Sequence, residues 1–408
     1  MKRTLITNIG MLATPQGTAA RGGRAQGEIC ILKNAWILIE NDVIAQVGTG
    51  AAPAAVGVQI INAGGKLVTP GLVDAHTHLI FGGWRQNELA LKLHGAGYLD
   101  ILAAGGGILS TMRATQSASE EQLEAKASAA LDEMLRFGTT TAEAKSGYGL
   151  STGEECKALR VIGNLQKRHV MDLAATFMGA HAVPEAYRDN RQGYLELLCE
   201  EMLPAVWEQG IAEFCDVFCE KGVFSAEESR RILLAGRQHG LRPKIHADEI
   251  EAIGGSELAG EIGAVSAEHL IVCPPSGIAS MAEGGTVACC LPATSFYLGA
   301  AYAPVQDMVQ AGVPVAMATD FNPGSCPCLN MQLVISLGCL RYRLTPEQAL
   351  TAVTLNGAAA ICRADRIGSI EPGKQADILI WNAEDLDYIC YRLGSNLVDT
   401  VIKKGNVV

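Results

Sequence analysis

Eight short runs of apolar and β-branched residues recur along the middle of the chain, separated by longer helix-like segments. Their spacing averages roughly 35 residues, which is the length of one strand–helix unit in a barrel of eight parallel strands. The runs predict strands at 67–73, 139–144, 173–179, 213–218, 242–247, 264–270, 286–292 and 314–319. The pattern therefore predicts the α/β class and a (β/α)8 TIM-type barrel.

The starts of several helices between these runs carry a recognisable signature. Ser119, Ser225 and Thr345 are each followed three residues later by Glu or Gln. Such a pair caps the first turn of a helix, because the hydroxyl and the longer side chain bond free backbone N–H groups reciprocally. The helix after Ser225 is expected to run to His239, because Gly240 then ends it.

The two ends of the chain follow a different pattern. Residues 27–62 alternate between apolar and polar positions like hairpin strands around an Asn-Asp turn, and residues 375–408 are again strand-like. We therefore expect a small β-sandwich domain formed by both termini, residues 1–66 and 365–408. The barrel domain is expected to span residues 67–364.

Composition narrows the possible classes of function. The chain has 408 residues, of which 49% are hydrophobic and 18% charged, and its formal net charge is −11. This negative charge argues against nucleic acid and anionic membranes as partners. We find no run of 18 apolar residues and no leader-like start, so we expect a soluble cytoplasmic protein. The thirteen scattered cysteines are typical of reduced, mostly buried thiols.

Candidate chemistry first appears at His76-Thr-His78, directly after an apolar run. Residues i and i+2 of a strand point to the same face, so both imidazoles project toward one point. Taken alone, such a pair is equally typical of a polar turn after a strand. His246, His269 and Asp320 favour a shared site, since each of them also ends an apolar run.

These residue types indicate a metal site. Imidazole nitrogen and carboxylate oxygen suit a divalent ion such as Zn²⁺ or Fe²⁺. A catalytic site of this kind keeps one position open for water, whose pKa the ion lowers from about 15.7 to about 7. The carboxyl ends of barrel strands meet at one face, which is where barrel enzymes place their active sites. The sequence therefore predicts a hydrolytic metal site at that face.

The motif Pro70-Gly-Leu-Val-Asp-Ala-His-Thr-His78, followed by His246, His269 and Asp320, resembles the metal-dependent amidohydrolase superfamily over nearly the whole length of the chain. Four segments resemble those members that hydrolyse the ring of 4-imidazolone-5-propanoate to N-formimidoyl-L-glutamate. They are Phe81-Gly-Gly-Trp-Arg85, Ala144-Lys-Ser-Gly-Tyr-Gly-Leu150, His246-Ala-Asp-Glu249 and Ala318-Thr-Asp-Phe-Asn-Pro-Gly-Ser325. The resemblance implies hydrolysis of this small anionic imidazolone in histidine degradation, with metal-bound hydroxide as the nucleophile.

The resemblance also implies a role for each matching residue. The metal ligands would be His76, His78, His246 and Asp320, holding one divalent ion per chain, Zn²⁺ or Fe²⁺, with Fe³⁺ as a further option. The residues that match substrate-contacting positions are Arg85, Tyr148, His181, Glu249, Asn322, Gly324 and Ser325. His269, Asp320 and Glu249 would act in catalysis, and the protein would assemble as a homodimer.

Three expectations depend on single residue types. Binuclear members use a lysine at the end of strand four to bridge two ions, whereas that strand here reads Glu213-Phe-Cys-Asp-Val-Phe218, so we expect one ion. Arg85 offers a planar fork that matches the carboxylate of a propionate, although an arginine in a loop is by itself more typical of a solvated side chain. Lys145 is expected to form an ion pair with Glu143 rather than to act in catalysis.

Two other functions stay open from the sequence. A mononuclear deaminase of a nucleobase or related heterocycle shares the ligand pattern, and release of ammonia would identify it. A non-catalytic scaffold on the same barrel would lack several ligands, whereas all of them are present here. Three histidines lie in or beside helix-like sequence and are left out of the site: His94, His169 and His239.

Overall fold

The computed structural model describes residues 2–53, 57–94 and 106–408, and the strands in these ranges form two sheets. The strands are β1 Arg3–Thr14, β2 Cys30–Glu40, β3 Val43–Thr49, β4 Gln59–Asn62, β5 Leu67–Pro70, β6 Leu72–Asp74, β7 Thr139–Lys145, β8 Asp172–Ala180, β9 Phe214–Cys219, β10 Arg242–Ala247, β11 Ser266–His269, β12 Val287–Cys290, β13 Val315–Met317, β14 Ile378–Trp381, β15 Val398–Lys403 and β16 Asn406–Val407. The α-helices are Leu89–Leu93, Ile108–Ser117, Glu120–Arg136, Thr152–Arg168, Arg191–Glu196, Leu203–Gln209, Ala226–Gln238, Gly255–Glu261, Pro275–Gly284, Pro292–Leu298, Val305–Gln310, Met331–Arg341, Pro346–Ala352, Leu355–Ala360 and Leu386–Tyr391.

Strands β6 to β13 form the barrel. They pair in sequence order and every pair is parallel, which confirms the predicted fold class. The ends of β7 to β13 lie within two residues of those expected. The first and last strands meet through side chains. The Asp74 carboxylate accepts hydrogen bonds from the backbone N–H of Thr319 at 3.0 Å and from its hydroxyl at 2.6 Å. A backbone bridge between Thr77 and Phe321 continues this seam toward the carboxyl face.

The second sheet contains strands from both ends of the chain, in the order β16-β15-β14-β5-β1-β2-β3, with β4 beside β1. The predicted Asn-Asp turn joins β2 to β3, where Asn41 has a positive φ of 57°. Side chains alternate between the two faces of a strand. Accordingly, Ile378 and Ile380 lie in the sheet's own core, whereas Leu379 and Trp381 pack into the core shared with the barrel.

The prediction of a single barrel strand at 67–73 is wrong for residues 67–70. Residues Leu67–Pro70 pair with β1 and β14 of the terminal sheet, and only Leu72–Asp74 joins the barrel. The break falls at Gly71, where a Cβ atom would lie 2.3 Å from the Thr140 hydroxyl. The chain therefore passes too close to β7 there for any side chain. We propose the two-domain division with β5 on the terminal side of the boundary.

The three predicted capping boxes are present at Ser119, Ser225 and Thr345. The helix after Ser225 spans Ala226–Gln238 and ends at His239, followed by Gly240 with a φ of 79°. Among the helices in the described ranges, none is long and apolar enough to span a bilayer.

Candidate active site

His76 and His78 lie just beyond β6, whose three residues are buried, and both imidazoles are buried as well. His246 lies within β10, and Asp320 follows β13. The structure brings the four side chains together. Nε2 of His78 lies 3.3 Å from Nε2 of His246, and Oδ1 of Asp320 lies 3.4 Å from Nε2 of His76 and 3.6 Å from Nε2 of His78.

These atoms fit a metal ion. Four ligand atoms placed tetrahedrally at about 2.1 Å from one centre are about 3.4 Å apart, close to the separations found. Nε2 of His76 and Oδ1 of Asp320 are buried and have no hydrogen-bond partner among the residues that the structure describes. Burial also holds the pKa of His76 and of His78 well below its usual value, so both rings are neutral and offer a lone pair.

His269 ends β11 and lies close to the same point. Its ring nitrogen, with those of His76 and His246, forms a second group of three possible ligand atoms within 4.8 Å of one another. Its imidazole is neutral, because burial lowers its pKa to about 4. Nε2 of His269 is 3.7 Å from the carboxylate of Glu249, whose pKa burial raises to about 7. The geometry therefore places an uncharged base and a protonatable acid beside the candidate ligands.

Two buried carboxylates orient the ligand imidazoles through hydrogen bonds to Nδ1. Nδ1–H of His76 donates to Glu268 at 2.8 Å, and Nδ1–H of His246 donates to Asp216 at 3.1 Å. A hydrogen bond at Nδ1 fixes the tautomer that leaves Nε2 free to bind an ion. Neither carboxylate was among the site residues expected from the sequence.

These carboxylates belong to a fully buried group of five charged residues, which we call the charge network: Glu143, Lys145, Asp216, Lys244 and Glu268. Lys145 lies 2.7 Å from both Glu143 and Asp216, which confirms its predicted ion pair. Lys244 lies 2.8 Å from Glu143 and 3.3 Å from Glu268.

Each charge in the network is stabilised by an opposite one. Burial alone would raise the pKa of Asp216, but His246 and Lys145 hold it well below its usual value. Burial would likewise lower the pKa of both lysines, but the neighbouring carboxylates raise it for Lys145 and Lys244. The only sequence signal for this network was the presence of charged residues inside otherwise apolar strands.

Residues predicted to contact substrate surround the ligand cluster. The rings of His78 and His181 stack at 4.8 Å between centroids, and the Tyr148 ring lies 5.1 Å from that of His181. Burial raises the pKa of Tyr148, while Arg85 acts to lower it and Asp320 to raise it, so the phenol lies within the electrostatic reach of both groups.

The side chain of Arg85 is mostly buried, with 13% of it exposed, and contacts Glu88 and Gly324. Its Nε donates to the buried carboxylate of Glu88 at 3.1 Å, and its guanidinium lies flat against Gly324. A Cβ atom on Gly324 would lie 2.4 Å from Cζ of Arg85, so no other residue fits at this position without displacing the guanidinium. Ser325 belongs to the same turn.

The side chain of Asn322 forms hydrogen bonds within the turn that contains Gly324 and Ser325. Its Oδ1 accepts the backbone N–H groups of Gly324 at 2.8 Å and Ser325 at 2.7 Å, and its amide donates to the Asp320 carbonyl at 2.7 Å. The side chain therefore shapes the turn that supports Arg85. Contact with a substrate stays a prediction for Asn322.

Four residues in or next to the site have positive φ angles, which non-glycine residues rarely adopt. They are Asp248 at 52°, His269 at 69°, Leu270 at 59° and Asp320 at 56°. All four lie at or just beyond the ends of barrel strands. Such backbone costs of order 1–3 kcal/mol per residue and persists only where surrounding contacts enforce it, most often at functional sites.

Comparison with known proteins agrees with this geometry. The model of the amidohydrolase family matches residues 67–408. The imidazolonepropionase of Alkaliphilus metalliredigens is 50% identical over 414 residues, covering 100% of this chain and 98% of the relative. That of Bacillus cereus is 49% identical and covers 100% and 97%. The chain belongs to the imidazolonepropionases of the amidohydrolase family. Members of this family are hydrolases, and the family together with the His and Asp cluster supports a divalent metal ion.

Solved structures show the same fold at lower identity. An adenosine deaminase from Xanthomonas campestris with bound zinc superposes with a TM-score of 0.71 at 20% identity, covering 99% of this chain and 92% of that one. Atrazine chlorohydrolase from Arthrobacter aurescens, complexed with zinc, gives 0.71 at 18% identity, covering 99% and 94%. At this identity the likeness concerns the fold alone.

The charge network predicts a large effect on stability. Replacing Lys244→Met leaves the carboxylates of Glu143 and Glu268 buried without their shared cation, which costs about 3–5 kcal/mol. Lys221→Met is the matched control, because that lysine is 66% exposed and pairs with Glu251 at the surface. Urea unfolding should show a marked loss of stability for Lys244→Met and little change for Lys221→Met. Equal midpoints would mean that the network does not stabilise the fold.

Proposed function

We propose that this hydrolase opens the ring of 4-imidazolone-5-propanoate, forming N-formimidoyl-L-glutamate. The observation that carries the proposal is full-length identity near 50% to imidazolonepropionases. The close approach of His76, His78, His246 and Asp320 supports it. These relatives favour ring hydrolysis over the deaminase alternative. The complete ligand set argues against a non-catalytic scaffold.

We infer that His76, His78, His246 and Asp320 hold one divalent ion. When bound, such an ion lowers the pKa of water and polarises a carbonyl oxygen. Zinc or iron as the ion, and the homodimer, stay predictions that metal analysis and light scattering of the purified protein would test.

The residues of the chain supply the remaining steps. The Asp320 carboxylate accepts the proton of the attacking water, while neutral His269 orients that water and stabilises the negative charge that develops on the carbonyl oxygen. Water oxygen bonds to the ring carbonyl carbon, and the adjacent C–N bond breaks. Glu249 in its acid form gives a proton to the departing nitrogen. Arg85 binds the propionate, with Tyr148 and His181 completing the pocket.

The decisive experiment is incubation of the purified protein with freshly prepared imidazolone propionate. Ring opening should abolish the ultraviolet absorbance of the substrate and yield a formimidoyl product without free ammonia. Ammonia release from a heterocycle, with the imidazolone left intact, would instead identify a deaminase.

The ligand assignment predicts different results for two neighbouring histidines. His246→Ala should lose both the ion and activity, because it removes one ligand. His269→Ala should keep the ion yet lose about 10²- to 10⁴-fold in kcat, the usual range for acid–base or oxyanion groups. Elemental analysis per chain beside steady-state kinetics measures both. A metal-free His269→Ala protein would place His269 among the ligands.

If Arg85 binds the propionate, the variant Arg85→Lys should have a lower kcat/KM. This change keeps the charge but removes the planar fork. A hydrogen bond to a charged group contributes about 1.5–3 kcal/mol, so kcat/KM should fall roughly 10- to 150-fold, mainly through KM, with metal content unchanged. If Arg85→Ala binds substrate as tightly as the parent protein, the carboxylate is held elsewhere.

The raised pKa of Glu249 predicts that kcat/KM depends on pH. Burial raises its pKa to about 7, so it is protonated below that pH and loses its proton as the pH rises. Since its acid form gives the proton to the leaving nitrogen, kcat/KM should decline about tenfold per pH unit above that value. Glu249→Gln should be slow and lack this decline. Glu251→Gln, a half-exposed residue of the same loop, should retain it. A profile unchanged by Glu249→Gln would assign the proton to another group.

A further inference from the structure

A buried carboxylate lies directly beneath the loop that carries Tyr148. Glu155 is the fourth residue of the helix Thr152–Arg168 and is fully buried, whereas the adjacent Glu154 is partly exposed and pairs with Lys157. A buried carboxylate is costly unless its lone pairs are satisfied. Its position inside the protein therefore requires specific partners.

Those partners are backbone N–H groups of the loop. Oε1 of Glu155 accepts hydrogen bonds from Gly149 and Leu150, both at 2.8 Å, and Oε2 accepts one from Gly147 at 3.0 Å. Burial raises the pKa of Glu155, whereas a hydrogen bond with the Ser146 side chain and the three backbone bonds act to lower it. Charge-assisted bonds of this kind are about twice as strong as neutral ones.

The loop needs such support because its backbone is unusual. Gly147 has a φ of 108° and Leu150 a φ of 53°, in the left-handed region that side chains disfavour. The loop is also tightly packed, since a Cβ atom on Gly149 would lie 2.6 Å from the backbone of Glu154. Three bonds to one carboxylate hold these successive residues in a single conformation.

The loop conformation reaches the active site in two places. Tyr148 stands between the two glycines and places its ring 6.0 Å from that of His78. The carbonyl of Gly147 accepts a hydrogen bond from Nδ1–H of His181 at 2.9 Å. A neutral imidazole that donates from Nδ1 has Nε2 as a hydrogen-bond acceptor at the far edge of the ring.

We propose that Glu155 is a positioning residue, which sets the place of the Tyr148 ring and the tautomer of His181 through the N–H groups of Gly147, Gly149 and Leu150. Its hydrogen bonds go to residues of this loop and not to the candidate metal ligands. The proposal rests on the proposed function, in which Tyr148 and His181 contact the substrate.

The variant Glu155→Gln tests it most directly. The amide oxygen can still accept from Gly149 and Leu150, but the NH2 group then faces the N–H of Gly147, so the carbonyl that holds His181 shifts. We expect KM to rise roughly 10-fold or more, with kcat and metal content little changed. Glu154→Gln, one residue earlier on the same helix, is the matched control and should behave as the parent protein.

A double-mutant cycle separates positioning from general loss of structure. If Glu155 acts through Tyr148 and His181, the Glu155→Gln change should have little further effect in a background that carries both Tyr148→Ala and His181→Ala. Additive effects would overturn the proposal. Glu155→Asp, which keeps the charge but withdraws it by one methylene, supplies a second variant should Glu155→Gln fold poorly.

A readout independent of turnover keeps this inference distinct from the proposed function. In protein labelled with ¹⁵N-histidine, the His181 signal, identified by its loss in His181→Ala, should show a proton on Nδ1 alone. Glu155→Gln should shift it or mix the two tautomers, whereas Glu154→Gln should not. An unchanged His181 signal would overturn the positioning role even if the parent enzyme is active. An inactive parent protein with the expected shift would overturn the function alone.

Discussion

The arrangement of the site depends on a group of buried charged side chains, two of which hydrogen-bond to the imidazoles of His76 and His246. Glu143, Lys145, Asp216, Lys244 and Glu268 have no contact with water, so each is tolerable only because an opposite charge lies within about a hydrogen-bond length. Their formal charges leave one negative charge, and the carboxylate of Asp320 adds a second. A divalent cation at the imidazoles would neutralise both. The network thus prepares a site for an ion while fixing the ring nitrogens that would bind it.

Much of this was readable from the sequence, because local patterns determine it. The capping boxes depend on residues three positions apart, and the barrel strands on short apolar runs, so both were predicted nearly where they occur. The ligand-type residues were also readable, since parallel strands bring their carboxyl ends to one face. The break at Gly71 was missed because an unbroken buried run does not show which sheet each half joins.

The supporting residues were missed for a different reason. Asp216 and Glu268 become meaningful only when a histidine from another strand is placed above them, and Lys244 only when two carboxylates from other strands meet it. Glu155 resembles any glutamate in the first turn of a helix, where acidic residues are common. Its burial is decided by the loop that folds over it. The contacts of Asp216, Glu268 and Lys244 arise between distant parts of the chain, and those of Glu155 depend on the conformation of a neighbouring loop. One sequence contains no period or spacing that reveals either kind.

The seam of the barrel runs through the candidate site itself. Asp74 and Thr319 are 245 positions apart, yet their hydrogen bonds join the strand that precedes His76 and His78 to the strand that precedes Asp320. The four proposed ligands therefore converge only after the first and last strands have met. During synthesis, a nascent chain that ends before β13 carries all three proposed histidine ligands but lacks Asp320. Coordination of an ion by all four proposed ligands would therefore be a late event in maturation, and such an ion would link the two ends of the barrel.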